Sequence, residues 1–162
     1  MGITRVYATR HGAGPFVTED AELSRALPDA CNGTGAWQQH FRVGWLDLVM
    51  LRYALETVGP LDYLAMTCLD RLAALPTLQL CTAYEVDNRL LDRLAPSPTS
   101  QDLTYQARLT AQVLRCQPRL TEVASVTALV EQVAVALQLR VGLLSAGPTA
   151  ADKQLLSPSD ML

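Results

Sequence analysis

The sequence predicts an α/β protein, a mostly parallel sheet with flanking helices. Three observations carry this. Short apolar runs of strand length, at 3–9, 61–67, 77–86 and 140–144, are separated by stretches whose apolar residues recur at helical spacing. The order strand, loop, helix, strand in the first part of the chain suits a parallel layer. Three of the runs end in turns of small or polar residues, where an α/β sheet presents its ligand sites. With 162 residues, 49% of them hydrophobic and 18% charged, residues 1–162 read as a single globular domain.

The first strand, Ile3 to Thr9, alternates in polarity and breaks at Gly12-Ala13-Gly14-Pro15. Gly12 and Gly14 let backbone N–H groups approach an anion, with Arg10 and His11 as further donors; the same turn also suits plain closure of a buried strand. Residues 17–38 read as a long irregular excursion, because Asp20, Asn32, Gly33, Thr34 and Gly35 are turn formers and Pro28 interrupts any helix. The excursion runs into Trp37-Gln38-Gln39-His40-Phe41-Arg42-Val43-Gly44, either a small-molecule contact surface or a solvated loop pinned by its two aromatics.

From Trp45, the residues Leu48, Val49, Arg52 and Leu55 keep helical spacing until Gly59-Pro60. This predicts an amphipathic helix of about four turns, with Asp47 near its positive end. Leu61 to Thr67 reads as a strand ending in Cys68-Leu69-Asp70, and Thr77 to Val86 as another with one buried face. Pro96 to Ser100 is a loop, and Leu103 to Leu114 is either a short helix or extended chain. Thr121 is placed to cap a long helix through Gln138, with Val123, Val126, Val130, Val133 and Leu137 on one face. Arg140 to Leu144 is the last strand, ending in Ser145-Ala146-Gly147-Pro148.

The net charge of −3 gives no electrostatic case for nucleic acid or an anionic membrane. Lys153 is the only lysine, so cationic contacts fall mostly to arginine. Cys31, Cys68, Cys81 and Cys116 have no metal spacing, and His11 and His40 do not pair with them, which predicts reduced thiols and no metal site. With no signal peptide and no apolar run of spanning length, a soluble cytoplasmic protein is expected.

If the strands are parallel, the turns Arg10 to Pro15, Thr67 to Asp70 and Ser145 to Pro148 lie along one sheet edge. A carboxylate such as Asp70 beside backbone donors suits the N1–H and exocyclic amine of guanine. Spacing alone also allows a helix cap or a surface salt bridge there.

These turns carry a family resemblance. Thr9-Arg10-His11-Gly12-Ala13-Gly14-Pro15-Phe16-x-Thr18-Glu19 is similar to the TR-x-G-x-GPFPTE motif of adenylosuccinate synthetases. Val43-Gly44-Trp45-Leu46-Asp47 with Leu51-Arg52-Tyr53-Ala54 resembles the family's GW(F/L)D and RYA helix. Thr67-Cys68-Leu69-Asp70 resembles its TKLD guanine motif, Leu78 to Tyr84 its KVCVAY strand, and Ser145-Ala146-Gly147-Pro148 its STGPD loop. The motifs stand in family order over nearly the whole chain.

The resemblance implies part of a P-loop-like adenylosuccinate synthetase fold. It also implies a GTP-dependent ligase of purine nucleotide biosynthesis, joining L-aspartate to the 6-oxo position of IMP through a 6-phosphoryl intermediate, and working as a homodimer. By matching position, Cys68 and Asp70 with Ser145, Ala146, Gly147 and Pro148 make the guanine-nucleotide site. His11 lines the IMP pocket, and Thr34, Gln39, His40 and Arg42 belong to the aspartate loop.

The family opens with a GDEGKGK loop, carrying the general base and a magnesium ligand, followed by a catalytic histidine. None of these is in this sequence. The chain is therefore expected to be the C-terminal region, to hold no catalytic residue or Mg2+ ligand of its own, and to act with an N-terminal catalytic polypeptide in a homo- or hetero-oligomer. A non-catalytic nucleotide-binding regulatory module and a degenerate remnant are the alternatives. Cys68 in place of lysine, and Gln39-His40-Phe41-Arg42 in place of an arginine cluster, leave the purine and the amino acid open.

Overall fold

The run at 3–9, expected as one strand, forms two strands that enter different sheets. In the computed structural model, which describes residues 1–29, 31–73 and 75–156, β1 (Gly2–Arg5) and β2 (Tyr7–His11) part at the buried Val6. The Val6 N–H donates to the Thr67 carbonyl at 3.0 Å, which fixes the crossing. No glycine, proline or other turn former stands at Val6, so the sequence carries no trace of the change of sheet.

The first sheet has the order β1-β4-β8-β9, with β4 at Leu64–Thr67, β8 at Val141–Ser145 and β9 at Lys153–Leu155. β1, β4 and β8 are parallel, with Arg5 opposite Thr67 and Thr67 opposite Ser145. β9, not anticipated from the sequence, closes one edge antiparallel to β8. The second sheet has the order β2-β3-β5-β6, where β3 is Phe41–Asp47, β5 Leu78–Val86 and β6 Arg89–Leu91; β7 (Gln117–Val123) also pairs with β5. The expected parallel layer is the first sheet. The second is mainly antiparallel, its parallel part being the short pairing of Leu46 with Leu80 and Asp47 with Cys81.

The helices correct the sequence reading at their starts. Within the segment read as irregular, α1 (Ala21–Ala26) forms because the Asp20 carboxylate accepts from the Glu22 and Leu23 N–H groups, both at 2.8 Å. The helix expected from Trp45 begins later, as α2 (Leu48–Val58), and residues 41–47 are β3. Val43 through Asp47 are buried on both faces, so this strand lacks the alternation that would distinguish it from a helix. Gly44 is required there: a Cβ would lie 2.3 Å from the Thr18 carbonyl oxygen.

After α3 (Leu69–Ala73), the ambiguous stretch at 103–114 resolves as α4 (Leu103–Val113), capped by Asp102 through the Tyr105 N–H at 2.9 Å. The last helix, α5 (Val126–Leu137), is capped by Ser125 rather than Thr121, which lies in β7.

Leu129, Val130 and Val133 of α5 join Val6, Leu64, Met66 and Val141 in the main core. Burial of each such side chain contributes about 1.5–3 kcal/mol. A second core gathers Val49, Cys81, Tyr84, Val113 and Cys116 around β5. The first core holds the parallel strands rigid up to their carboxyl ends, where the site lies.

Candidate functional site

Because β1, β4 and β8 are parallel and in register, the residues after Arg5, Thr67 and Ser145 all leave along one rim. A cavity of about 320 Å³ opens there. β1 contributes Arg5 and the start of β2 Tyr7; the turn after β4 contributes Cys68, and α3 contributes Asp70 and Arg71. The turn after β8 contributes Ser145, Gly147 and Pro148, and Asp29 comes from the connection following α1. Asp70 and Gly147 thus share one cavity. The turn Arg10 to Pro15 does not join them, since it follows β2 in the other sheet; Arg5 and Tyr7 hold that place on the rim instead.

Each wall is held locally. Cys68 takes a left-handed backbone (φ +64°), turning the chain sharply from β4 into α3. Asp70 is exposed and, among the described residues, neither caps a helix nor pairs with a cation, so neither simpler role for it is realised. Ser145 is buried, and its hydroxyl donates to the Gly147 carbonyl at 3.3 Å. The Lys153 ammonium donates to that same carbonyl. Asp152 accepts from the Thr149 N–H at 2.8 Å and hydroxyl at 2.6 Å, bonds that hold its carboxyl below the usual range. A Cβ on Gly147 would lie 2.6 Å from Asp152 Cγ, so a larger residue there would displace the Asp152 carboxyl from Thr149.

On the opposite connection, the Arg71 guanidinium donates to the Pro28 carbonyl and ties Pro28 to α3. The Asp29 carboxyl is held low, first by the Asn32 side chain and then by the Cys31 N–H, which donates to it at 2.9 Å. Tyr7 is buried, and its hydroxyl titrates above the usual tyrosine value, chiefly through burial and then through the neighbouring Cys68 thiol.

The remaining sequence-predicted residues gather elsewhere, around β2, β3 and their connection. His11 Nε2 lies 3.2 Å from Asn32 Oδ1, and its ring stands 5.0 Å from that of Phe41. Thr34 Oγ1 is 2.9 Å from His40 Nδ1 at the base of a tight turn closed by reciprocal Gly35 and Gln39 backbone bonds of 3.1 and 2.9 Å. Arg42 is engaged on both forks, to Glu19 at 2.7 Å and to the Gly14 carbonyl at 3.0 Å. The two groups are joined by the chain Asp29, Asn32, His11.

Asp47 and Tyr84, both motif residues, meet inside the second core: the Tyr84 hydroxyl donates to Asp47 Oδ2 at 2.5 Å. Burial pushes both acids up in pKa and raises the adjacent Cys81 thiol to about 12. These positions support the fold.

Residues missed by sequence reasoning are Arg5, Tyr7, Asp29 and Arg71. Arg5 and Tyr7 lie in a run read as one strand, and the crossing at Val6 brings them to the rim; Asp29 lies in a segment read as irregular, and the Arg71 bond to the Pro28 carbonyl brings it there. Ala146, expected beside the base, is exposed, and its N–H bonds the Asp152 carbonyl at 3.0 Å.

The family model for adenylosuccinate synthetase matches residues 1–152. The chain belongs to the adenylosuccinate synthetase family.

Among curated adenylosuccinate synthetases, that of Myxococcus xanthus is 47% identical over 93 residues, 55% of this chain and 21% of the relative. That of Trichormus variabilis is 42% identical over 121 residues, 73% of this chain and 24% of the relative. The matches therefore span less than a quarter of these adenylosuccinate synthetases. The fully ligated adenylosuccinate synthetase structure from Plasmodium falciparum superposes with a TM-score of 0.77 at 19% identity, covering 96% of this chain and 39% of that one. The mixed α/β fold is that of adenylosuccinate synthetase. No helix among the described residues is long and apolar enough to cross a membrane.

Proposed function

We propose that this chain is the guanine-nucleotide- and aspartate-recognising part of an adenylosuccinate synthetase-like ligase of purine nucleotide biosynthesis. GTP is its nucleotide, and IMP and L-aspartate are the other substrates. The observation that carries the reading is the one cavity shared by Asp70, Ser145, Gly147 and Pro148. An unpaired carboxylate there accepts the N1–H and exocyclic amine of guanine, while the turn after β8 packs against the base. Discrimination against adenine follows, because adenine presents an acceptor at N1 where the carboxylate needs a donor.

The cavity's donor set, two carboxylates beside two guanidinium groups, does not fit Mg2+, which takes carboxylate and phosphate oxygens with water. Phosphoryl transfer and the ligation belong to a P-loop-bearing polypeptide acting with this chain, in a cytoplasmic homo- or hetero-oligomer. Calorimetric titration tests the reading: GTP binds more tightly than ATP, and Asp70→Asn erodes the difference. Equal affinity for the two nucleotides overturns it.

A second reading, a non-catalytic nucleotide-binding module, is favoured by one observation. Arg42, the remaining arginine of the aspartate loop, is already bound to Glu19 and the Gly14 carbonyl. Co-purification from the source cell separates the two, since only the first requires a P-loop-bearing companion.

A further inference from the structure

The proposed guanine site lacks the cation of the motif that Thr67-Cys68-Leu69-Asp70 resembles, because Cys68 stands at the lysine position. The other cations near the cavity are engaged. Lys153 donates to the Gly147 carbonyl and Arg71 to the Pro28 carbonyl, each fixing a wall. Arg5 is different. It is half-buried and lines the cavity, and its side chain makes one hydrogen bond among the described residues, to the Thr9 hydroxyl at 3.4 Å. Of its five N–H donors, most are free.

Its position is also specific. Arg5 pairs across the parallel ladder with Thr67, the residue immediately before Cys68, so it sits beside the place the lysine vacates. The guanidinium carbon lies 5.9 Å from the Tyr7 ring centroid, and Tyr7 is buried, so the planar group rests on a fixed aromatic surface. Asp29, the nearby carboxylate, feels the Arg5 charge but is held first by the Asn32 side chain and the Cys31 N–H, and among the described residues Arg5 forms no ion pair with it.

We propose that Arg5 is a specificity-determining residue of this site, donating to the acceptor edge (O6 and N7) of a guanine whose donor edge Asp70 takes. The proposal rests on the guanine-site reading above. A guanidinium fork matches the O6/N7 pair in spacing and planarity, where a lysine offers a single point charge. The lost lysine is thereby replaced from the neighbouring strand rather than in place.

The test is calorimetric titration of the full chain with GDP, 7-deaza-GDP (which lacks the N7 acceptor) and ADP, for the wild type, Arg5→Met, Arg5→Lys and Asp70→Asn. Arg5→Met is expected to weaken GDP about tenfold, in line with a bidentate contact to O6 and N7. It is expected to weaken 7-deaza-GDP much less, and Arg5→Lys should recover part of the loss. Arg5→Met weakening GDP and 7-deaza-GDP equally overturns the proposal, because the contact is then to phosphate or only to the wall. If Asp70→Asn abolishes the GDP preference while Arg5→Met changes nothing, the Arg5 proposal alone fails. If the wild type binds GDP no better than ADP, the guanine-site reading fails with it. Should Arg5→Met unfold, judged by its thermal transition, the comparison of Arg5→Lys on GDP and 7-deaza-GDP decides: an equal effect on both overturns the proposal.

Discussion

The Tyr84 hydroxyl and the Asp47 carboxylate form a 2.5 Å hydrogen bond inside the core, with Tyr84 fully buried and Asp47 only 5% exposed. The other Asp47 oxygen caps α2 through the Val49 and Met50 N–H groups at 3.0 and 3.1 Å. One side chain thus joins the end of β3, the start of α2 and the middle of β5. Tyr84→Phe removes the donor and leaves a buried charge short of a partner. It is expected to cost about 2–3 kcal/mol, read from urea unfolding midpoints. A change within about 0.5 kcal/mol would show the bond to be dispensable.

The same carboxyl makes stability depend on pH. Burial raises the Asp47 pKa, against the opposing Tyr84 and N-cap bonds. An acid raised by folding holds its proton more tightly in the native state. Its contribution is therefore greatest below the ordinary carboxylate range and falls as pH climbs from that range through the folded value. Asp29 and Asp152 are shifted down, so they act with the opposite sign, losing stability as pH falls through their folded values. Asp47→Asn removes the titration and keeps the cap through its one carbonyl oxygen, while its amide NH2 faces the Tyr84 hydroxyl as a donor, a pH-independent cost in this range. Thermal transitions from about pH 4 to about pH 8 should show the wild type losing ground relative to the variant as pH rises; parallel curves contradict the assignment.

Gly44 tests the close approach of β3 to the 17–20 segment. A Cβ at Gly44 meets three backbone atoms under 3.0 Å, starting with Thr18 O at 2.3 Å, whereas one at Gly33 meets nothing within 4 Å. Gly44→Ala is expected to destabilise by about 2–3 kcal/mol and Gly33→Ala by less than about 0.5 kcal/mol, both from denaturant unfolding. Equal effects would mean that β3 lies elsewhere.

Helix capping separates the sequence reading from the structure at the last helix. Ser125 Oγ accepts from the Ala128 N–H at 3.0 Å, while Thr121 pairs with Leu80 in the second sheet. Ser125→Ala should cost about 1 kcal/mol, and Thr121→Ala only a few tenths, in chemical denaturation. The reverse order would restore the helix start expected from periodicity.

Much of the fold could be read from residue pattern alone. The β5 strand, the last strand and the turns at 67–70 and 145–148 follow from alternation bounded by turn residues. The pattern fails where burial is two-sided or where the chain changes partner. Trp45 and Leu46 fit a helix as well as a doubly buried strand, and Val123 fits a helical stripe although β7 pairs with β5 through it. Val6 looks like any inward strand residue, yet it is the crossing between two sheets. That single step moves Arg10 and His11 off the rim and brings Arg5 and Tyr7 onto it, a long-range fact that no local window contains. Asp29 enters the cavity because Arg71 bonds the carbonyl beside it, a contact between residues 43 positions apart.

In the proposed function the rim of the parallel sheet reads a guanine through Asp70. The most direct test is the affinity of the wild type and Asp70→Asn for GDP and for xanthosine diphosphate, which carries a carbonyl where guanine carries its amine. An amide at position 70 donates to that carbonyl and cannot satisfy both guanine donors as a carboxylate does. The predicted result is an exchange of preference, GDP weakening about tenfold or more and xanthosine diphosphate strengthening. Unchanged affinities for both nucleotides would contradict it.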